Sequence, residues 1–191
     1  MKYLIPLLIA LIFSSCKSNR NELESEYQKC INDKTFKRGI FYPLNSSESD
    51  IAKSISVFDS IKKFENFLHK NEYLSDFNKE EYLTLISRID KTDFLEKEFI
   101  KFNDNHYFIK NNLMTALFFE ELLHDCYLSV FKNQIYYEKQ FLIYDKVFLN
   151  SYANSDILTE LIQEVDFESE TQRLLLTFMI YDNLYWKFEM E

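Results

Sequence analysis

The sequence predicts an all-α fold, a single irregular bundle of six to eight helices that follows a cleaved N-terminal signal peptide. Apolar residues recur at spacings of three and four through residues 50–191, which is the period of one face of a helix. The chain has one glycine and two prolines, too few for the tight turns of an all-β fold of this length. Because 47% of its residues are hydrophobic, it can build a core, and disorder is not expected.

The first element is a short apolar segment behind a single positive charge. Lys2 precedes an uncharged run of 11 residues from Tyr3 to Phe13. As a helix this run would span about 16 Å, well short of the hydrocarbon core of a bilayer, which is about 30 Å thick. The run has the length of the apolar part of a secretory signal, so we expect residues 1–15 to be a signal peptide.

Small residues lead from this segment into a cysteine. The sequence Phe13-Ser14-Ser15-Cys16 resembles the lipobox of bacterial lipoproteins, although that family usually has Leu where Phe13 stands. The resemblance implies that the peptide is cut before Cys16 and that the Cys16 sulfur and the new amino group are acylated. Lys17 in place of Asp then favours the outer membrane over the inner membrane. Plain secretion after ordinary cleavage behind Ser15, or an ordinary buried segment, are the alternatives.

The mature chain is predicted to have two parts. Residues 16–49 would hold the lipidated cysteine, a polar tether and an irregular N-terminal segment, and residues 50–191 would form the helical domain. Within the first part, Leu23, Tyr27 and Ile31 lie four residues apart and indicate a weak amphipathic helix. Gly39 and Pro43 indicate an irregular connection over residues 35–49.

Three helices are predicted in the first half of the domain. The first has N-caps offered by Ser47, Ser49 and Asp50 and an apolar stripe of Ile51, Ile55, Phe58, Ile61, Phe64 and Leu68. The second opens with a pattern similar to a capping box, Asn78 with Glu81, and turns inward Tyr82, Leu85, Ile86 and Ile89. The third follows Thr92, buries Leu95, Phe99 and Phe102, and ends in a predicted turn at Asn103-Asp104-Asn105.

Four helices are predicted in the second half. Residues 112–132 carry the stripe Ala116, Phe119, Leu123, Cys126 and Val130, and extra apolar residues in the first half of this segment indicate a central position. A second helix has Tyr137, Phe141, Tyr144 and Phe148, and a short one has Ile157, Leu158, Leu161, Ile162 and Val165. A capping box of Ser169 and Gln172 opens the last helix, with the stripe Leu174, Phe178, Tyr181, Tyr185 and Phe188.

Signals for a catalytic or metal site are weak. Glu121 and His124 form a Glu-x-x-His pair, which binds di-iron centres where two copies and two further glutamates converge. The chain has no second copy, so we interpret the pair as part of a solvated polar face. His69, four residues after Glu65, is interpreted as one half of an ion pair at a helix end. Without a glycine-rich phosphate loop or a nucleophile motif, the sequence predicts a protein that is not an enzyme and binds no metal or cofactor.

Two cysteines remain once Cys16 is assigned to lipid. In an oxidising envelope Cys30 and Cys126 can form a disulfide, which would join the N-terminal segment to the predicted central helix. The alternative is that both are buried thiols that pack as small hydrophobic side chains. The sequence leaves both alternatives open.

Two features indicate a protein-binding surface. Trp186 lies off the predicted stripe of the last helix, and tryptophan is enriched among residues that dominate binding energy. Glu160 and Glu164 share a helix face that would steer a basic partner, with a solvated face as the alternative. They belong to an acidic cluster of Asp156, Glu160, Glu164, Asp166, Glu168 and Glu170.

These observations predict a membrane-anchored envelope lipoprotein whose non-catalytic helical domain binds a partner protein. Its partners would be the lipid bilayer, through acylated Cys16, and a protein, as in an immunity or inhibitor lipoprotein. With a formal charge of −9, the chain lacks the basic surplus that a phosphate backbone requires, so no nucleic acid is expected. The alternative is a small envelope enzyme or a ligand-binding protein whose site is assembled from residues distant in sequence.

Overall fold

The computed structural model describes residues 20–33, 56–89, 95–106, 120–131 and 154–189, apart from the side chains of residues 120–124 and 189. These residues form seven helices and no strand, which confirms the predicted all-α fold. The helices are α1 (20–33), α2 (Val57–Lys70), α3 (Lys79–Ile89), α4 (Glu96–Asn105), α5 (Glu120–Phe131), α6 (Ser155–Glu164) and α7 (Glu170–Glu189).

Helix α7 runs through the core. Every residue from Thr171 to Tyr185 except Arg173 is buried, so the predicted stripe and the opposite face are both enclosed. Helices α2, α4 and α6 pack against it, and α3 packs against α6. The sequence favoured residues 112–132 for the central position, and the first part of that segment lies outside the described residues.

Helix α2 begins later than predicted. The Ser56 hydroxyl accepts from the Asp59 N–H at 3.0 Å, and the Asp59 carboxylate accepts from the Ser56 N–H at 3.3 Å. This reciprocal capping box satisfies two N–H groups that the helix itself leaves without partners, which makes Ser56 the N-cap. The predicted caps Ser47, Ser49 and Asp50 lie outside the described residues, whereas the described stripe is buried as predicted: Phe58, Ile61, Phe64 and Leu68.

The end of α2 has the bonds of a Schellman motif. The Tyr73 N–H donates to the Leu68 carbonyl at 2.9 Å, and the Glu72 N–H donates to the His69 carbonyl at 3.1 Å. Glu72 stands in the left-handed position, at φ 61°, where helices usually place glycine. The motif reverses the chain direction after Lys70. It therefore determines where α2 ends, and α2 forms one side of the cleft described below.

The two other predicted capping boxes form one of their two bonds. In each, the N-cap side chain accepts from the N–H three residues later, as predicted: Asn78 from Glu81 at 3.1 Å and Ser169 from Gln172 at 3.2 Å. The return bond differs from the prediction. The Glu81 carboxylate accepts from the Ser75 N–H at 3.0 Å, and the Gln172 oxygen accepts from the Asp166 N–H at 2.9 Å. Each side chain thereby orders the loop before its helix.

The predicted turn at Asn103-Asp104-Asn105 is wrong, because α4 continues through these residues to Asn105. Asn103 is buried, and its side-chain oxygen accepts from the Tyr181 hydroxyl of α7 at 3.1 Å. A hydrogen bond in the core therefore outweighs the preference of asparagine for turns.

Helix α1 packs on the same core as the other helices. Tyr27 and Ile31 are buried, and the Tyr27 ring lies 5.4 Å from the ring of Phe131 in α5. Cys30 and Cys126 form a disulfide between these two helices, with their Cα atoms 5.7 Å apart. Although the sequence set residues 16–49 apart from the helical domain, α1 lies within that segment and contributes to the domain core.

The start of α1 is bound to the α6–α7 loop. The Arg20 guanidinium forms ion pairs with Asp166 of the loop and with Glu24, 2.9 Å from Nε to Oε1 for the latter. The Ser169 hydroxyl donates to Glu24 at 2.7 Å. Burial lowers the pKa of Arg20, but the hydrogen bonds and charges of both carboxylates outweigh it, and the pKa is raised overall. Arg20 therefore keeps its charge in this contact.

Several predictions lie outside the described residues. They concern the signal peptide at 1–15, Cys16, the irregular connection at 35–49 and the helix with Tyr137, Phe141, Tyr144 and Phe148. Among the helices that the structure does describe, none combines the length and the apolar character needed to cross a bilayer.

Candidate functional site

A cleft of about 630 Å³ lies between α2 and α4. Its size is within the range of small-molecule sites, about 300–1,000 Å³. Its lining comes from the end of α2, the loop that follows, and one face of α4, in two sequence stretches about thirty residues apart. The lining residues are Lys63, Asn66, Phe67, Lys70, Asn71, Glu98, Lys101, Phe102, Asn105 and His106.

Helical spacing explains why these residues meet. Lys63, Phe67 and Lys70 lie four and three positions apart and share one face of α2. On α4, the same spacing of three and four residues relates Glu98, Lys101 and Asn105. Both helices pack against α7 through their buried faces, so their half-exposed edges face each other across the cleft.

The inner surface of the cleft is aromatic. The rings of Phe67 and Phe102 lie 4.7 Å apart at 38°, and Phe64 lies behind them, 5.4 Å from Phe102. Phe102 is buried, whereas Phe67 is half-buried and exposes part of its ring. The cleft therefore offers an apolar surface held in place by the core.

His106 extends this aromatic row at the end of α4. Its ring stacks on Phe102 with centroids 4.7 Å apart at 28°. Nδ1 lies 2.9 Å from the Phe102 carbonyl oxygen, which can only accept, so Nδ1 donates in this hydrogen bond. His106 lines this cleft, whereas His69 does not.

The rim of the cleft is basic and amide-rich. Lys63, Lys70 and Lys101 face one carboxylate, Glu98, among the lining residues. Lys101 Nζ lies 4.0 Å from Glu98, and both side chains are largely exposed, so this ion pair is weak and leaves the charge surplus in place. Such a lining can hold an anion, but it lacks the paired carboxylates or the nucleophile with its base that hydrolytic catalysis requires.

A second polar cluster lies inside the core between α2, α3 and α7. The Glu65 carboxylate, 1% exposed, accepts from Arg173 Nε at 2.7 Å and from the Tyr82 hydroxyl at 2.7 Å. Thr177 lies 2.8 Å from the same hydroxyl. Burial lowers the pKa of Arg173, but the hydrogen bond and charge of Glu65 outweigh it and raise the pKa. We interpret the cluster as structural, because its carboxylate is enclosed and already bonded.

This cluster corrects the interpretation of His69. Glu65 points into the core and pairs with Arg173, whereas His69 is exposed, with its ring 5.1 Å from Phe77. A signal for the pairing was present in the composition. Arginine forms bidentate bonds that lysine cannot, and in a chain rich in lysine the buried carboxylates Glu24 and Glu65 both bind arginine.

Because of Tyr82, the free energy of unfolding is expected to depend on pH in the alkaline range, near and above the ordinary pKa of tyrosine. Burial, together with the charge of Glu65, raises the pKa of Tyr82 well above 10.0. The unfolded chain releases this proton near pH 10 while the folded chain retains it, so the folded state binds more protons and the free energy of unfolding falls as pH rises. For this group the slope is about 1.4 kcal/mol per pH unit.

We expect the stability advantage of the wild type over Tyr82→Phe to be constant below about pH 9 and to shrink above about pH 10. Urea unfolding of both proteins across this range measures it. A stability difference that stays constant to about pH 11 would contradict the assignment.

The residues predicted to contact a partner lie on two helices, α6 and α7. Glu160 is exposed and Glu164 is half-exposed on α6, on the face away from the core. Trp186 is half-buried near the end of α7, and Leu175 and Met179, which share its helix face by their spacing, are buried.

Part of the acidic cluster is neutralised. Asp166 binds Arg20, and Glu170 binds Lys62 of α2. Asp156, Glu160 and Glu168 are exposed. Asp156 and Glu160 lie on α6, and Glu168 lies in the α6–α7 loop.

The remaining predicted site residues have different outcomes. Cys30 and Cys126 form the disulfide described above, with Sγ atoms 2.08 Å apart, rather than two separate thiols. Cys16 and the side chains of Glu121 and His124 lie outside the described residues. Within the described ranges, no group of three or more His, Cys, Asp and Glu side chains could hold a metal ion.

Comparison with known proteins adds no further identification. No protein-family model, no curated protein and no solved structure matches the chain. Its function must be inferred from its own residues.

Proposed function

We propose that this protein is an exported lipoprotein of the bacterial envelope, anchored through acylated Cys16, whose helical domain binds a partner protein without catalysing a reaction. The observation that carries the proposal is the Cys30–Cys126 disulfide. Structural disulfides persist in oxidising compartments and are rare in the cytosol. The disulfide in the domain and the lipobox-like segment before it are independent indications of export to the envelope.

The cysteine inventory is consistent with this division of roles. The chain has three cysteines, and two of them bind each other. The third, Cys16, is the one that follows the apolar segment and two serines. A thioether-linked pair of acyl chains with an additional amide-linked chain would hold the protein stably on a membrane, since two or more chains are needed for that. We propose the outer membrane, because Lys17 follows the cysteine.

The outer face of α6 is the proposed contact with the partner. Glu160 and Glu164 lie there, and the whole chain is acidic. An acidic surface accelerates encounter with a basic protein and rejects acidic ones. Trp186 is the proposed aromatic contact, with part of its ring accessible. An immunity or inhibitor lipoprotein that neutralises an incoming basic toxin or enzyme would combine an envelope location with such an acidic surface.

The anchor is tested on protein expressed in a bacterial host that processes lipoproteins. We expect intact mass spectrometry to show a chain that begins at Cys16 and carries acyl groups, and membrane fractions to contain it. Cys16→Ser should abolish acylation, whereas Ser14→Ala, which keeps a small residue before the cysteine, should not. A protein that still begins at Met1 without acyl groups would overturn the anchor.

The partner surface is tested by charge reversal. Glu160→Lys with Glu164→Lys is compared with Glu22→Lys with Glu26→Lys, a control with the same spacing and charge change on the exposed face of α1. We expect cross-linking in envelope extracts to capture a partner with the wild type and the control but not with the α6 variant. Equal capture by both variants would remove α6 from the contact.

The second candidate function is ligand binding. The cleft between α2 and α4 favours it, because its lining is assembled from residues distant in sequence and has the size of a small-molecule site. The two functions are compatible, since α6 does not contribute to the cleft lining.

A further inference from the structure

We infer that the cleft between α2 and α4 binds a small anion that carries a flat apolar ring, such as an aromatic carboxylate, sulfonate or phosphate. The inference concerns a site separate from the α6 face and does not depend on the proposed partner protein. It rests on the charge of the rim, the aromatic inner surface and the size of the cleft, taken in turn.

The charge of the rim opposes the charge of the chain. The protein carries a formal charge of −9, yet the cleft is lined by three lysines and one glutamate, a local surplus of +2 with His106 neutral. Charges farther away than about 8–10 Å are largely screened at physiological ionic strength, so the lining decides what the cleft attracts. An anionic ligand is therefore favoured over a neutral or cationic one.

The inner surface selects for a flat ring. Phe67 exposes part of its ring. It is tilted against Phe102, and His106 stacks on Phe102, both with ring centroids 4.7 Å apart. Aromatic groups bind best in offset-stacked or edge-to-face positions at such distances. A ligand ring that joins this row would place its acidic group at the lysine rim.

The size of the cleft favours a small molecule over a protein segment. A volume of about 630 Å³ fits a ligand of one or two rings. Amide side chains at the rim, from Asn66 and Asn105, can donate to ligand oxygens and accept from ligand hydroxyls. A lysine ammonium is a point charge on a flexible side chain. The cleft would therefore select the acidic group of a ligand by its negative charge more than by its shape.

The test uses naphthalene-1-sulfonate and its neutral counterpart naphthalene-1-sulfonamide, titrated into the full-length protein by calorimetry with a detergent blank. We expect saturable binding of the sulfonate, weaker binding of the sulfonamide by about tenfold, and weakening of the sulfonate by added salt. Equal affinity for the two probes, or no saturable binding of the sulfonate at millimolar concentration, would overturn the inference.

Paired lysine variants locate the site. Lys63→Gln with Lys101→Gln removes one charge from each wall, and Lys62→Gln with Lys97→Gln removes the same charge from the same two helices outside the cleft. We expect the first variant to lose about tenfold in sulfonate affinity and the second less than about twofold. Urea unfolding confirms that both variants fold. Equal losses in the two variants would show general charge attraction and refute the site.

Discussion

Removal of the Cys30–Cys126 disulfide is expected to lower the free energy of unfolding by about 4–5 kcal/mol. The two cysteines are 96 residues apart in sequence, so the bond restricts a long loop in the unfolded chain. In the chain-entropy description, the stabilisation grows with the length of that loop. The bond is also the covalent link between α1 and α5, which otherwise meet through aromatic contacts such as Tyr27 with Phe131.

Urea unfolding with and without a thiol reductant measures this effect. The variant Cys30→Ser with Cys126→Ala provides the reference, because it has lost the bond and its stability should not respond to reductant. Thiol alkylation under denaturing conditions should label neither cysteine before reduction and both afterwards. Two reactive thiols in the unreduced protein would instead support the alternative of two buried, separate cysteines.

Arg173→Met is expected to lower the free energy of unfolding by about 3–5 kcal/mol. The substitution keeps much of the side-chain volume but leaves the Glu65 carboxylate buried without its counter-charge. Tyr82 and Thr177 still offer hydroxyl groups to this carboxylate, but hydroxyls do not replace a full positive charge. The cost therefore comes from the unpaired buried charge more than from the lost bonds.

A matched control exists one helical turn away. Lys62 and Glu170 also join α2 to α7, but their side chains are 49% and 51% exposed. Lys62→Met should cost at most about 1 kcal/mol, because exposed ion pairs contribute little. Adding Glu65→Gln to Arg173→Met should restore about 1–2 kcal/mol by removing the unpaired charge. Equal effects of Arg173→Met and Lys62→Met would contradict the burial argument.

The amphipathic period predicted much of the fold. Phe58, Ile61, Phe64 and Leu68 are buried on α2, and the α6 residues Leu158, Leu161 and Ile162 are buried as expected. This pattern works because each residue type needs either the core or solvent, whatever the neighbouring helices are. The burial of α7 on several faces was harder to predict. Its apolar stripe marks one face, whereas the other faces are buried by contacts with α2, α4 and α6.

Other features depend on tertiary contacts that no local pattern encodes. Asparagines 103 and 105 favour a turn by themselves, yet Tyr181, distant in sequence, supplies the bond that keeps Asn103 in a helix. The cleft was missed for the same reason. Lys63 and Lys101 are ordinary surface lysines in the sequence, and they become part of a site when the packing of α2 and α4 places them on one rim.

The attachment of α1 to the domain limits how far the protein can rise above a bilayer. With acylated Cys16 in the membrane, four peptide units reach Arg20, a span of at most about 14 Å. The Arg20–Asp166 contact and the disulfide oppose detachment of α1 from the domain. The connection between Cys16 and the domain therefore cannot lengthen easily by release of α1. In the proposed lipoprotein, the α6–α7 loop, which binds the start of α1 through Asp166, would therefore lie near the lipid headgroups. A partner of the proposed kind would then have to bind close to the membrane surface.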